Sequence, residues 1–143
     1  MEFDKDFLGK LFEQAVTNPR LRQNFDLRTS PADTSQRMLN ALLPGTKVPI
    51  HRHEDTTETV ICLVGKLEEI IYEEVNEYIY EATSCCGDVT RQRKIKEISR
   101  QILSPAEGKF GIQIPAGAWH TINVIEPSVI FEAKDGAYRG NDR

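Results

Sequence analysis

Near the start of the chain, apolar residues recur at three- and four-residue steps: Phe3, Phe7, Leu8, Leu11, Phe12, Ala15 and Val16. That period puts them on one stripe of an α-helix. Asp4 can serve as its N-cap, with Phe3 before it and Leu8 inside as a hydrophobic staple. Thr17-Asn18-Pro19 ends the helix, since the residue before proline avoids helical backbone. From about Arg20 the pattern changes to short apolar runs broken by Gly, Pro and Asp, which predicts strands. Residues 37–43 form one such run, closed by the turn Pro44-Gly45. Gly65-Lys66 predicts a second turn, between strands at 59–64 and 67–72. Residues 75–80, 109–114 and 129–133 read as further strands. In 95–103, Ile95, Ile98 and Ile102 fall at helical steps, but the β flanks and short length favour a strand. The polar stretch 82–94 predicts a loop, and the tail 136–143 a frayed end. Several short strands with Gly/Pro turns predict an all-β domain, a small sandwich or barrel. A jelly-roll barrel would close on itself and leave a cavity between its two sheets.

Composition narrows the setting. The chain has 143 residues, enough for one domain, with 18 Lys+Arg against 22 Asp+Glu and a net charge of −4. At 39% hydrophobic it is too apolar to be disordered. No apolar run approaches the roughly 20 residues of a membrane span. The acidic opening Met1-Glu2-Phe3-Asp4 is unlike a signal peptide, so a cytoplasmic setting is expected. Mild acidity disfavours nucleic acid as a partner, because phosphate binding needs clustered Lys and Arg. There are three cysteines, of which Cys85-Cys86 are adjacent, where a disulfide would be strained. That pair reads as part of a polar loop, with a two-thiol metal site as the alternative. Cys62 reads as a small buried hydrophobe.

Three histidines are present, and their placement is informative. In His51-Arg52-His53 the two imidazoles share one face of an extended strand, because side chains alternate with period two. Glu58 heads the next apolar run after a polar turn, where a hairpin would fold its carboxylate back toward the two rings. His120 follows the turn Pro115-Ala116-Gly117-Ala118 and starts a strand. Neutral imidazole and carboxylate together suit a divalent transition metal such as Fe, Mn, Ni, Zn or Co. Four protein ligands leave one or two positions open for Lewis-acid or O2 chemistry.

These residues resemble the cupin family. Gly45, His51, His53, Glu58 and Gly65 match every fixed position of the first cupin motif, G-x5-H-x-H-x(3,4)-E-x6-G. Pro115, Gly117 and His120 match the heart of the second, P-x-G-x-x-H. Lys109 stands where that motif has glycine, and Val124 where it has asparagine. The resemblance implies a cupin-type jelly-roll β-barrel with an added N-terminal helix, and one metal held by His51, His53, Glu58 and His120. In domain terms it implies a single unit over 1–143, with the helix at 1–18 and the barrel at 37–135. A closer likeness, carried by Asn18-Pro19-Arg20-Leu21-Arg22, by Arg37-Met38-Leu39-Asn40-Ala41-Leu42, by Pro49-Ile50-His51-Arg52-His53 and by Ile114 to Thr121, is to the WbuC-type cupin metalloproteins. That likeness continues through Phe131-Glu132-Ala133-Lys134 to Ala137-Tyr138-Arg139. Such proteins are associated with bacterial surface-polysaccharide gene clusters, and their reaction is not settled.

Around such a centre, Arg37, Asn40 and Tyr138 are candidate ligand-binding residues, with Arg20 and Arg22 behind them. Arginine offers planar, bidentate binding of carboxylate or phosphate. Arg52 should point away from the rings on either side of it, and Lys47 and Lys134 should be solvated. Trp119 should pack in the barrel wall or under the helix, with sugar stacking as the alternative. Glu132, in the apolar strand near 130, is a candidate general base if it points inward. With all three histidines assigned to a metal, proton transfer must come from a carboxylate, a tyrosine or metal-bound water. Two functions follow: a metal-dependent enzyme acting on a small polar metabolite by isomerisation, epimerisation or O2 chemistry, or a non-catalytic binding or sensing module. Exposed sheet edges predict a homodimer.

Overall fold

A computed structural model describes residues 1–82 and 87–139. The adjacent Cys85-Cys86 pair and the end of the tail lie outside the described residues. The chain runs as helix α1 (Lys5–Thr17), strands β1 (Arg22–Asp26), β2 (Ser35–Leu42), β3 (Glu58–Ala82) and β4 (Gly87–Leu103), a single 3-10 turn, then β5 (Gly111–Ile114) and β6 (Trp119–Asp135). All pairings are antiparallel, in the order β1-β2-β6-β3-β4, with β5 also on β3. The fold is the all-β cupin type with an N-terminal helix. No ladder among the described residues joins β1 to β4, so hydrogen bonding leaves the expected barrel open.

Helix α1 starts where the sequence places it, with Asp4 accepting from the Phe7 amide at 2.9 Å. Its Leu11 and Ala15 pack with Leu39, Ala41 and Val129 of β2 and β6. Burying a leucine of this kind contributes roughly 1.5–3 kcal/mol. A second cluster, built around Leu42, Val60, Leu67, Leu103 and Ile130, fills the other face of the sheet. Cys62 belongs to it, and burial pushes its thiol up to about 11, so it behaves as a small hydrophobe.

Two predicted breaks are not breaks. Gly65-Lys66 is no turn: β3 runs on for 25 residues, and Gly65, at φ +96°, sits in a run of bulges where the register against β6 shifts. A Cβ there would collide with the Pro127 carbonyl and Ser128, so only glycine lets the strands approach. Most of the loop expected at 82–94 is strand as well, since Gly87–Lys94 pairs in register with Val75–Ala82. β3 leaves β6 at Tyr72, and beyond it β3 and β4 have only each other. Both faces of this arm meet solvent, so its polar sequence reflects exposure rather than irregular backbone. The strand reading of 95–103 holds, as the second half of β4.

Candidate metal centre

Backbone pairing assembles the centre. His51 and His120 exchange hydrogen bonds, N–H to carbonyl, at 3.0 and 2.8 Å, which sets both side chains on one face. The turn Pro115–Ala118 closes with the Ala118 amide donating to Pro115 at 3.1 Å, and Gly117 takes φ +81° as a type II turn requires. The Gly117 amide then donates to the His53 carbonyl at 2.7 Å, pinning one motif to the other. Glu58 opens β3 between β5 and β6, opposite Ile114 and Lys134. His53, Glu58 and His120 are buried at 4%, 3% and 3% exposure.

Ring orientation follows from what each nitrogen meets. The Nδ1 of His51 faces the Pro49 carbonyl at 2.8 Å, and that of His120 faces the Ala118 carbonyl at 2.9 Å. A carbonyl can only accept, so each Nδ1 carries the proton and each Nε2 keeps its lone pair for the centre. The Glu58 Oε2 lies 3.1 Å from the Nε2 of both His53 and His120. One donor atom from each of His51, His53, Glu58 and His120 falls within 4.8 Å of all the others. Two ligands on opposite sides of one ion, each at about 2.1 Å, would be about 4.2 Å apart. Burial, with the nearby His120, pushes His51 down to about 4, so it is neutral at pH 7. Burial pushes Glu58 upward, but the close ring nitrogens of His120 and His53 and the charge of Lys134 outweigh it and hold its carboxyl well below the usual range. Neither ring nitrogen of His53 has a hydrogen-bond partner among the described residues, although both are buried. A metal ion fits this set: it would give His53 the partner it lacks and offset the buried carboxylate.

The centre opens on a cavity of about 440 Å³, lined by His51, Glu58 and His120 together with Asn40, Glu132 and Tyr138. Arg20 and Arg22 line it too, and Arg22 donates to the Lys47 carbonyl at 2.8 Å. Arg37 does not. Odd-numbered residues of β2 face the helix side, with Leu39 and Ala41, whereas Asn40 and Leu42 face the other way. Arg37 ion-pairs with Asp33 at 3.2 Å, donates to the Leu27 carbonyl, and borders a separate recess shared with Tyr138. Arg52 points away from the rings, as parity requires, and lies over Trp119 at 4.7 Å. Trp119 is therefore not in the wall or under the helix; it is half-buried outside, its indole N–H donating to Glu74 at 3.0 Å. Lys134, expected in solvent, is only 3% exposed, because it faces inward opposite Glu58.

Two polar residues of the cavity, Asn24 and Glu69, are not among those the sequence singles out. Glu69 is 2% exposed, and its Oε2 has no hydrogen-bond partner among the described residues. Burial, then the charges of Glu58 and Glu132, push its carboxyl well above the usual range. Its signal was parity: Glu69 is two residues from buried Leu67 and so shares its face. The neighbouring Glu68 made the pair look solvent-facing.

Fold and centre together define a cupin-type protein with a candidate three-histidine, one-carboxylate metal site. A family model described as "Domain of unknown function (DUF6016)" matches residues 3–83, more than half of the chain, and the chain belongs to that family. No curated protein matches it. Among solved structures it is similar to TT1209 from Thermus thermophilus, at 19% identity over 95% of this chain and 98% of that one, with a TM-score of 0.59. It is similar to KdgF from Halomonas sp. at 16% identity, over 86% and 85% of the two chains, with a TM-score of 0.53. An oxalate oxidase in complex with the substrate analogue glycolate aligns at 14% identity, over 87% of this chain and 55% of that one, with a TM-score of 0.53. At these identities the likeness concerns the fold. No helix among the described residues is long and apolar enough to cross a membrane.

Proposed function

We propose that the chain is a cytoplasmic, single-domain metalloenzyme that isomerises or epimerises a small polar metabolite such as a sugar or sugar-nucleotide derivative. The observation that carries this reading is the pair of carboxylates, Glu69 and Glu132, in the same cavity as the four metal-ligand residues. A bound divalent Fe, Mn, Ni, Zn or Co ion would supply Lewis acidity, polarising a carbonyl beside them. His51, His53, Glu58 and His120 hold that ion, and the carbonyls of Pro49 and Ala118 fix two of the rings. Glu132 is the proposed base, and Asn40 and Tyr138 hold the ligand. An apolar pocket would instead favour a non-catalytic binding or sensing module, and this one carries two carboxylates beyond the ligand. The motif residues around His51 and His120 support a WbuC-type relationship, and with it a role in surface-polysaccharide metabolism.

The test is exchange chemistry. Metal-loaded protein incubated in D2O with candidate sugars should wash deuterium into a carbon next to a carbonyl, and Glu132→Gln should abolish this while retaining metal. Unlabelled sugars throughout, with metal bound, would favour the binding module.

We also infer a homodimer. Along the exposed arm, β3 carries Glu73, Glu74, Glu77 and Glu81, and β4 carries Arg91, Arg93, Lys94 and Lys96. Tyr78 and Tyr80, also on β3, stand in solvent at 68% and 67% exposure. Apart from Glu77 and Lys94, which bridge each other at 2.7 Å, and Glu74, which bonds Trp119, these opposite charges on the two strands of one ribbon complement a second copy of it. Sedimentation at several concentrations tests this, and a monomer at every concentration would refute it.

A further inference from the structure

The cavity beside the metal centre holds buried acceptors that the metal does not use. Asn24 and Asn40 are direct cross-strand partners on β1 and β2, so their amides lie side by side on one face. Glu69 reaches the same cavity from β3. The Oδ1 atoms of both asparagines and the Oε2 of Glu69 are buried, and none has a hydrogen-bond partner among the described residues. Asn40 and Glu69 are only 4% and 2% exposed. Unpartnered oxygens at that depth are costly unless something in the cavity donates to them.

We propose that Asn24, Asn40 and Glu69 form a hydroxyl-binding subsite, so that the ligand is a polyhydroxylated molecule held at one end by the metal centre and at the other by these three side chains. The inference rests on the metal-centre reading above and deepens it, assigning the side chains that would hold the hydroxyls of the metabolite proposed there. A hydroxyl suits these partners, because two of the three are neutral amides and the cavity already carries charges of both signs, Arg20 and Arg22 beside Glu58 and Glu132. A hydroxyl also serves either orientation of each amide, since it both donates and accepts.

Two matched probes test it: D-gluconate and hexanoate offer the metal the same carboxylate on a six-carbon chain, and only the first carries hydroxyls along it. By calorimetry, metal-loaded protein should bind gluconate at least tenfold more tightly than hexanoate. Asn24→Ala, Asn40→Ala and Glu69→Gln should each narrow that ratio severalfold while leaving hexanoate affinity and metal content in place. Asn24, half-buried on the edge strand, is the variant least able to disturb folding. Equal affinity for the two acids, no binding of either, or a ratio unmoved in the folded variants would overturn the subsite, the acceptors then being filled by water only. Metal content measured in parallel separates the two ideas. Bound metal without discrimination removes the subsite alone, and discrimination without bound metal removes the metal centre alone.

Discussion

His51 and His120 are joined by two reciprocal backbone hydrogen bonds, of 3.0 and 2.8 Å, although 68 residues of chain separate them. Their ring centroids lie 4.2 Å apart as a direct result. The geometry of the centre is thus built by main chain and held by two carbonyl acceptors, ready before any ion arrives. Elemental analysis of the purified protein should find about one divalent metal per chain. Replacing any of His51, His53 or His120 by alanine should weaken binding by more than the 10–100-fold typical of losing a group that only orients a ligand. Full metal content in such variants would show that these residues are not the ligands.

The four candidate ligands were legible because each rests on a short-range rule. Period-two alternation aligns His51 with His53, and the glycine turn delivers His120. What was not legible depended on long-range pairing. Arg37 and Asn40 look like neighbours, yet an odd separation puts them on opposite faces of β2, and only the helix on one side shows which face is the cavity. Glu69 was hidden by Glu68, and the arm by its own polarity. Gly65 carried a true signal for a break in regular pairing, but a bulge and a turn call for the same residue.

Acid should act on the metal-free site through His51. Its folded value of about 4 lies below the ordinary 6.5, so the unfolded chain binds more protons between those limits. The stability it contributes is therefore present in full above about pH 6.5 and lost as pH falls through 4. Thermal melts of metal-free protein from pH 7 to 4 should fall more steeply for wild type than for His51→Gln. Parallel curves would mean that His51 is not held neutral by the fold.

Gly65→Ala should destabilise the protein by about 3 kcal/mol or more, since it combines a positive φ with a Cβ clash against main chain of β6. Gly108→Ala is the control, because its φ of +75° is also positive but its Cβ would meet nothing. It should lose about 1–2 kcal/mol. Denaturant midpoints with unchanged slopes measure the difference, and equal losses would remove the close approach as the cause.

Trp119 offers a built-in reporter. It is the one tryptophan of the chain and precedes His120, with its indole bonded to Glu74 and stacked under Arg52. Metal that tightens His120 should shift its emission in a saturable way, with the stoichiometry found by elemental analysis. Arg52→Ala should cost only about 0.5–1 kcal/mol of stability, the range of an exposed cation–π contact, and should leave metal content intact. Emission insensitive to metal would separate this surface cluster from the centre.

The arm is separable from the body. Beyond Tyr72 its strands pair only with each other and join neither core cluster; Glu74, which bonds Trp119 at the arm's root, pairs with Ile95 across the ribbon. Replacing residues 75–94 by Asn-Gly would close β3 to β4 with a two-residue hairpin turn whose twist matches the strands. A lone two-stranded ribbon contributes little stability in water, so the shortened chain should melt within a few degrees of the wild type and bind metal equally. What should change is association: if the acidic and basic rails join two copies, the shortened protein sediments as a monomer at concentrations where the full chain is a dimer. Loss of metal on shortening would instead place the arm's root, through Glu74 and Trp119, among the supports of His120.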